Sequence, residues 1–531
     1  MPNRIFKFIK QFFQKILLFT KQNYKILIFS LFLTFINIFF LFQNFKLNSL
    51  KIGNTFIFLL IVSILLELSL CLIIFYAQKN HWKIEKLFLV LFLIIGSFYT
   101  LAIPVGRAPD EVSHFYRIYE ITEGHFVSDI SENGDSAGSL EPENISIVKD
   151  FSGNNTYINY YDIFEKLGTQ ANSEKVFLST SADGYNIISY LPQVTGMFIG
   201  KIFQLPFLIS AYLAKFANLI FCAIILYFSI KYIPFLKKII FVIAFLPISM
   251  QAMTSLSSDA PIIVTAISLI SFILYATYSM KTTFTKKHYF LIFSICLFLC
   301  ITKIVYAPLC LLLFTIPKER FGKLNRKIIS ILSIGALISV FYLLWNFMIP
   351  PLRTVSDSSA QINLILQNPL KYIGILFNSI STNFLLYFSG ILGGDLEWFD
   401  VHPPMIYLIS FYTIFVLLCS KECKSARINK TFKILSIFLS ILVVILIFTA
   451  MFIAWTKVGE NIIDGVQGRY LLPLLILIPT WFIPVSKDGK QRTKVTVQNS
   501  FIEKNRQDYY LYSFVIFESI CSILTIACSH L

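Results

Sequence analysis

Long apolar runs separated by short polar links dominate this sequence and set the first prediction about its fold. The runs predict thirteen membrane-spanning helices, since most of them are long enough to cross the hydrocarbon core of a bilayer. They fall at about residues 26–43, 55–77, 87–103, 208–230, 239–256, 261–279, 289–301, 304–316, 327–349, 403–419, 431–453, 471–485 and 511–528. The predicted fold class is an all-α polytopic membrane protein.

The charge of the links predicts the side of the membrane that each one faces. Lysine and arginine are concentrated in the links 78–86, 231–238, 280–288, 317–327, 420–433 and 486–510. Basic links of this kind are typical of the cytoplasmic side. The N-terminus is then cytoplasmic, and the segment that begins at Pro104 is outside.

This topology has a consequence for the region between 327 and 420. It leaves room for one crossing outward and one crossing back, so the apolar run at 373–392 is expected to lie along the outer surface. Polar clusters at 257–259, 393–398 and 459–469 then share the outer side with Asp110. Thr302 and Lys303 join them at the tip of a short helical hairpin.

Shifts in composition divide the chain into four parts. Residues 1–25 are basic with helical apolar spacing, which predicts either a helix on the inner leaflet or a disordered basic tail. Two N-terminal spans occupy 26–86, and a transmembrane core occupies 87–485. A link and the last span occupy 486–531.

The core contains one long polar segment, at 104–188, which holds 14 of the 29 acidic residues. It is the one segment outside the spans that is large enough to form a lid or small subdomain. Tyr190 then opens a short apolar helix that ends near Gln204, which we expect to be re-entrant or interfacial rather than crossing.

Composition excludes several other classes of protein. Hydrophobic residues make up 56% of the 531 residues, too many for a soluble protein of this length. The net charge of +16 is explained by the basic cytoplasmic links, so we predict no nucleic-acid partner. The nine cysteines lie in or beside apolar runs with no disulfide framework or zinc spacing.

The residues that follow the third span carry the most chemistry. Pro109 suits a helix start, and Asp110 and Glu111 then fall in the first turn, where the helix dipole favours negative charge. His114 lies three and four residues further on, so all three polar side chains share a helical face. Arg107 and Arg117 flank this cluster. A capping pair with no chemistry is the alternative interpretation of the two acids.

Five stretches resemble a bacterial membrane family called domain of unknown function 2142. They occur in the family's order: APDEVSHFYR at Ala108–Arg117, YLPQVTG at Tyr190–Gly196, LP at 246–247 with SSD at 257–259, KIVYAP at Lys303–Pro308 and GVQGRYLLP at Gly465–Pro473. The family is similar to the C-type glycosyltransferase superfold. That resemblance implies a multi-span bundle whose first long external loop carries an acidic pair.

The resemblance also implies a reaction. Enzymes of that superfold take a sugar from a polyprenyl-phosphate carrier and place it on a glycan or lipid-linked acceptor outside the cell membrane. Asp110 matches the first acidic position and is the expected base in an inverting transfer. Glu111 is expected to orient the acceptor, to help bind a divalent cation such as Mg²⁺ or Mn²⁺, or to position Asp110.

Positive charge is needed to stabilise the departing phosphate. Arg469, at the outer end of a span, is the first candidate, against the alternative of an arginine that reaches lipid headgroups. Lys303 is the second candidate. Further candidates for substrate binding are His114, Arg117, Arg107, Asp259, Gln467 and Tyr190. Asp259 is equally well explained as a helix cap, and a lone histidine such as His114 is more often structural.

Two other functions fit parts of the same pattern. A polymerase or ligase of lipid-linked oligosaccharides would use the same external cleft on a larger donor. A transporter of lipid-linked sugars would carry ionisable residues along a path through the bilayer. Apart from Glu67, which we expect to face the bundle interior, the predicted spans are nearly free of charge, so surface chemistry is favoured.

Overall fold

Helices account for most of the computed structural model, which describes residues 2–133, 136–153, 158–349, 357–486 and 506–531. The α-helices within these ranges are α1 Pro2–Leu47, α2 Asn54–Lys79, α3 Ile84–Ala102, α4 Glu111–Glu123, α5 Tyr160–Lys166, α6 Leu191–Ile202, α7 Phe207–Tyr232, α8 Lys237–Phe245, α9 Pro247–Met253, α10 Asp259–Leu274, α11 Lys286–Thr302, α12 Lys318–Phe321, α13 Leu324–Met348, α14 Ser358–Gln367, α15 Pro369–Thr382, α16 Phe384–Leu392, α17 Met405–Ser425, α18 Lys430–Ala454, α19 Ile478–Phe482 and α20 Arg506–Ser529. A π-helix, Tyr275–Ser279, extends α10, and 3₁₀ helices occupy Glu143–Phe151, Ile187–Tyr190, Ile304–Thr315 and Gly468–Leu474.

The helices α1, α2 and α20 form one of two compact units. Asn37 of α1 donates a 2.9 Å hydrogen bond to Glu67 of α2, whose side chain is 1% exposed. The prediction that Glu67 faces the bundle interior is therefore confirmed. In the basic segment 1–25, the side chains of residues 1–23 lie outside the described part of the structure. Most of the link 486–510 also lies outside it, so the expectations for both regions stay predictions.

The second unit contains α3 to α19. Across both units, nine single helices of the described chain are long and apolar enough to span a membrane, and each matches one of the thirteen predicted runs. The other four runs, 239–256, 289–301, 304–316 and 471–485, form short or broken helices instead. Proline explains two of the breaks, since it removes a backbone donor: α9 begins at Pro247, and the 3₁₀ helix Gly468–Leu474 contains Pro473.

The apolar run at 373–392 also departs from a straight span. It forms α15 and α16, which meet at a bend of 58°. A bent pair of this kind agrees with the expectation that the run is not a simple crossing.

The polar segment between α3 and α6 contains a small β-sheet that the sequence did not predict. Three strands, β1 Asp129–Ile130, β2 Ala137–Pro142 and β3 Lys175–Ser179, form an antiparallel sheet in the order β1-β2-β3. The all-α prediction is wrong for this segment. Behind the sheet, α4 and the 3₁₀ helix Glu143–Phe151 share a core of fully buried side chains that includes Phe115, Ile118 and Ile145. The expectation of a small folded subdomain is thereby met.

Glycine lets α6 lie closely against α7. A Cβ atom on Gly196 would come within 2.4 Å of the Leu213 carbonyl oxygen, and one on Gly200 within 2.2 Å of Ser210 Oγ. These two glycines, one turn apart, put the short α6 directly beside the spanning helix α7. The stretch beginning at Tyr190 thus forms a short helix that packs along α7.

Candidate active site

The turn before α4 sets the direction of the Asp110 side chain. Asp110 precedes the helix with φ at 63° and ψ at 7°, a left-handed conformation that aspartate and asparagine tolerate better than most residues. It makes no side-chain cap on the helix. The interpretation of Asp110 as a residue whose side chain caps the helix is therefore wrong. Its carboxylate is 44% exposed and contacts Arg469 instead.

Glu111 is the anchor of this turn. Its side chain is fully buried, and Oε2 accepts hydrogen bonds from the backbone N–H groups of Gly106 at 2.9 Å and Ala108 at 3.1 Å. Oε1 accepts a third, from Leu256 N–H at 2.9 Å. These bonds hold the turn that carries Asp110 against the loop after α9. Among the three expected roles of Glu111, the contacts match that of positioning Asp110.

The same contacts decide whether the acidic pair fits a divalent cation. Both Glu111 oxygens already accept backbone N–H groups, and Asp110 Oδ2 accepts from Arg469. The two carboxylates do not converge on a common point. Among the described residues, no group of three histidine, cysteine or acidic side chains is arranged to hold a metal ion. The pair therefore does not fit the metal site that the sequence left open.

Four charged side chains from distant parts of the chain form one continuous row. Lys303 Nζ lies 2.6 Å from Asp259 Oδ1, and Asp259 Oδ2 lies 3.0 Å from Arg469 Nε, in the orientation of an ion pair rather than a hydrogen bond. Arg469 Nη2 then donates to Asp110 Oδ2 at 2.8 Å. The order is Lys303, Asp259, Arg469, Asp110, so positive and negative groups alternate. Asp110 is the exposed end, because Arg469 is only 7% exposed and Asp259 11%.

The row keeps both basic groups charged. Burial acts to lower the pKa of Lys303, but the Asp259 carboxylate and neighbouring tyrosines outweigh it and raise that pKa well above its ordinary value. For Arg469, burial is likewise outweighed by Tyr470, Asp259 and Asp110, and the pKa is raised. Two permanent cations therefore stand side by side in a largely desolvated site.

Tyr470 and a glycine contact hold these cations in place. The Tyr470 ring lies 4.6 Å from Lys303 Nζ and 5.5 Å from Arg469 Cζ, within cation–π range. Gly468 directly precedes Arg469 in the chain, and a Cβ atom on it would come within 2.5 Å of the Gly390 carbonyl carbon. The 3₁₀ helix that carries Arg469 therefore lies backbone to backbone against α16.

A buried network lies behind Asp259. The His114 ring is hydrogen-bonded to the Tyr190 hydroxyl through Nδ1, and Nε2 lies 3.5 Å from Ser257 Oγ. Ser257 Oγ in turn accepts from Asp259 N–H at 3.1 Å. Burial lowers the pKa of His114 to about 4, so the ring is neutral at pH 7. His114 and Tyr190 support the loop that carries Asp259, and neither lines a cavity of the site.

The two flanking arginines have internal partners. Arg107 is bound to Glu397 at 2.9 Å and Asp400 at 2.5 Å. Arg117 is bound to Glu120 at 2.6 Å and donates to the carbonyl of Phe126. Both are at most 2% exposed. Their guanidinium groups serve the architecture of the loops, so we give them no role in substrate contact.

The loop at 393–398 is less exposed than the sequence indicated. Glu397 is fully buried against Arg107, which corrects the expectation that it lies on the outer surface. Trp398 donates from its indole nitrogen to the Gly106 carbonyl at 3.1 Å, which ties this loop to the turn of Asp110. Asp395 remains partly exposed and pairs with His402 at 3.0 Å.

A cavity of about 370 Å³ opens beside the charged row. Arg469 and Asp395 are its charged wall residues, and Gln467 places a buried Oε1 without a hydrogen-bond partner among the described residues. The other lining residues are Pro109, Ile248, Leu386, Tyr387, Gly390, Phe399, Gly465, Val466 and Gly468. The predicted candidates Arg469 and Gln467 thus reach one cavity, together with Tyr387 and Asp395.

The fold and the site define a multi-pass membrane protein with an alternating row of charges at the edge of a cavity. The chain belongs to the family described as predicted membrane protein DUF2142, whose model matches residues 91–478. This confirms the family resemblance, and the matched region contains all four residues of the charged row. No curated protein and no solved structure matches the chain.

Proposed function

We propose that the chain is an inverting glycosyltransferase that moves a sugar from a polyprenyl-phosphate donor to a glycan or lipid-linked acceptor on the outer face of a bacterial cell membrane. The observation that carries this proposal is the charged row. Two cations, the buried Arg469 and Lys303 with 21% of its side chain exposed, offer a site for a phosphate, and the partly exposed carboxylate of Asp110 lies 2.8 Å from Arg469. A base and an anion site stand next to each other, and Arg469 of the anion site lines a cavity of sugar size.

The chemistry follows from this arrangement. The acceptor oxygen attacks the anomeric carbon of the donor from the face opposite the phosphate, and the bond from that carbon to the phosphate oxygen breaks. The electron pair leaves with the phosphate, whose charge Arg469 and Lys303 stabilise. The proton of the acceptor hydroxyl passes to Asp110. The configuration at the anomeric carbon is inverted.

An apolar groove beside the cavity supports a lipid-linked donor. It has a volume of about 660 Å³ and is lined by Leu246, Phe388, Ile391, Leu392, Tyr412, Phe415, Val416, Cys419, Ser420, Cys423, Lys424, Leu475, Ile478, Phe482 and Pro484. Its wall adjoins that of the cavity, because Leu246 faces the groove while Ile248 faces the cavity. An amphiphile with its head at Arg469 and its tail in the groove fits both.

The length of the groove favours an isoprenoid tail over an acyl chain. Its lining runs from Tyr412 to Lys424, about 18 Å along α17. That is longer than the half-thickness of about 15 Å that one leaflet offers an acyl chain. We therefore assign the groove to the carrier lipid.

The topology in this proposal is the one that the basic links indicate. The N-terminus is cytoplasmic and the subdomain between α3 and α6 is outside, with the charged row on the same side. The four short or broken runs complete a bundle of thirteen crossings. The 3₁₀ helix Ile304–Thr315 has twelve residues at about 2 Å each, so it extends about 24 Å and covers most of the roughly 30 Å of hydrocarbon.

The test is a comparison of surface polysaccharides in a deletion strain that carries the wild type, Asp110→Asn or Asp129→Asn. Asp129 is an exposed carboxylate of β1 in the same subdomain, so it controls for the change of charge. We expect Asp110→Asn to insert normally and to leave one sugar missing from the glycan, while Asp129→Asn restores it. A complete glycan with Asp110→Asn would refute the proposed function.

A further inference from the structure

The phosphate site of this protein is filled by its own carboxylates. Arg469 contacts Asp259 through Nε and Asp110 through Nη2, and Lys303 contacts Asp259. Every anion that approaches these cations therefore competes with a side chain that is already bound. Binding of an anion at Arg469 therefore requires that Asp110 or Asp259 be displaced from it.

The two carboxylates differ in how firmly they are held. Asp259 contacts both cations, is 11% exposed, and has its backbone N–H bound by Ser257 Oγ. Asp110 contacts one cation, is 44% exposed, and makes no cap to its own helix. An exposed ion pair with a single contact contributes little, since solvent screens it. The contact between Arg469 and Asp110 is the weakest link of the row.

A phosphate monoester or diester has what is needed to break that link. It offers several acceptor oxygens to the planar guanidinium, where Asp110 uses only Oδ2. Once Arg469 binds the phosphate, Asp110 Oδ2 loses its partner. The backbone of Asp110 remains fixed, because the neighbouring Glu111 side chain accepts hydrogen bonds from the N–H groups of Gly106 and Ala108 in the same turn.

We propose that the donor phosphate displaces Asp110 from Arg469, so that the base becomes free to face an acceptor only when the donor is bound. This inference rests on the proposed function and adds an order of events to it: donor first, base second, acceptor last. Before the donor binds, Asp110 is engaged by Arg469 and shares with Asp259 the role of counter-ion to its buried charge.

Binding of a soluble donor analogue tests the displacement. Farnesyl phosphate supplies the charged head and an isoprenoid tail, and farnesol supplies the tail alone. Because Asp110→Asn removes the competing anion, we expect farnesyl phosphate to bind about two- to fivefold more tightly to this variant than to the wild type. Affinity for farnesol is expected to be equal in the two proteins, and Asp129→Asn is expected to match the wild type for both probes.

Chemical labelling of the carboxylate distinguishes displacement from a general change of charge. A water-soluble carbodiimide with an amine nucleophile modifies free carboxylates, and mass spectrometry of the Asp110 peptide measures the extent. We expect farnesyl phosphate to raise the labelling of Asp110 in the wild type severalfold, while Asp129 is unaffected and farnesol has no effect.

The outcomes separate this inference from the function on which it rests. If farnesyl phosphate binds the wild type but Asp110→Asn gains no affinity, or if the probe protects Asp110 from labelling, the displacement is refuted and the proposed function stands. If the wild type binds farnesyl phosphate no better than farnesol, the anion site itself is refuted, and the proposed function fails with it.

Discussion

Asp110 and Arg469 are joined by a hydrogen bond of 2.8 Å although 359 residues separate them in the chain. The contact brings the turn after α3 to the 3₁₀ helix before α19. It makes one site from two stretches that lie far apart in the sequence. The predictions below test what each part of that site contributes.

Substitutions of Arg469 should distinguish the contribution of its positive charge to phosphate binding from that of its guanidinium geometry. Arg469→Lys keeps a cation, but a single ammonium cannot contact both Asp110 and Asp259, which the guanidinium reaches through two nitrogens. We expect affinity for farnesyl phosphate to fall by roughly tenfold in Arg469→Lys and by about 30-fold or more in Arg469→Gln, since loss of a buried charge partner costs about 2–5 kcal/mol. Equal affinity in all three proteins would show that Arg469 does not contact the phosphate.

Glu111→Gln should damage stability rather than chemistry alone. The amide would place an NH₂ group against a backbone N–H that now donates to a carboxylate oxygen. A loss of about 1–3 kcal/mol in the free energy of unfolding is expected, measured as a lower melting temperature in detergent. Asp110→Asn is the matched comparison, because asparagine tolerates the left-handed backbone at that position and should melt like the wild type. A Glu111→Gln protein as stable as Asp110→Asn would contradict the anchoring role.

His114 should make stability depend on pH. Its pKa is about 4 in the folded protein because of burial, against roughly 6.5 when unfolded. The unfolded chain thus binds the proton more readily, so this contribution is complete above about pH 6.5 and is lost as the pH falls toward 4. The full effect is about 3 kcal/mol.

The measurement for His114 is a difference between proteins. Burial raises the pKa of Asp183 to about 6, which acts with the opposite sign, so the wild-type curve alone does not isolate the histidine. We expect the drop in melting temperature between pH 7 and pH 4.5 to shrink in His114→Gln. It should persist in His402→Gln, because the His402 side chain is 63% exposed. The same drop in wild type and His114→Gln would argue against a neutral buried ring.

The groove offers a native thiol as a reporter of the lipid tail. Cys419 lies in its wall midway along α17 and is a free thiol. We expect farnesyl phosphate to slow alkylation of Cys419 by N-ethylmaleimide severalfold, and prior alkylation to weaken binding of the lipid. Cys419→Ala should bind normally after the same treatment. Alkylation at an unchanged rate with the lipid bound would place the tail elsewhere.

The sequence was sufficient for the helices whose apolar runs are long and uninterrupted. The nine helices of the described residues that are long and apolar enough to span a membrane were all predicted from length and hydropathy, as was the short α6. The small sheet was missed because its strands are only two, six and five residues long and show no alternation of apolar and polar residues. Pro247 and Pro473 indicate both breaks in the sequence, but the apolar runs around them are long enough that uninterrupted spans were predicted there.

The members of the site were predicted better than their arrangement. Asp110, Asp259, Lys303 and Arg469 were each singled out by a polar position near the end of a span, but nothing in their spacing showed that they form one row. Asp395 belongs to the outer cluster 393–398, for which a contact with sugar was predicted, and it does line the cavity. Tyr387 was not expected there, because its placement depends on the bend between α15 and α16. The partners of Arg107 likewise depend on loop contacts that no local pattern encodes, whereas Arg117 and Glu120 form an i,i+3 pair within α4.

The contact between Gly468 and Gly390 has a consequence for the size of sugar that the protein can accept. A Cβ atom on Gly468 would lie 2.5 Å from Gly390, and one on Gly390 would lie 3.3 Å from Gly468, so the two backbones are in close contact and a shift of α16 is expected to move Arg469 with it. The distance from the guanidinium to this side of the cavity is therefore constant. We expect relatives that handle bulkier monosaccharides to differ at a lining side chain outside this contact, such as Phe399, and to keep both glycines.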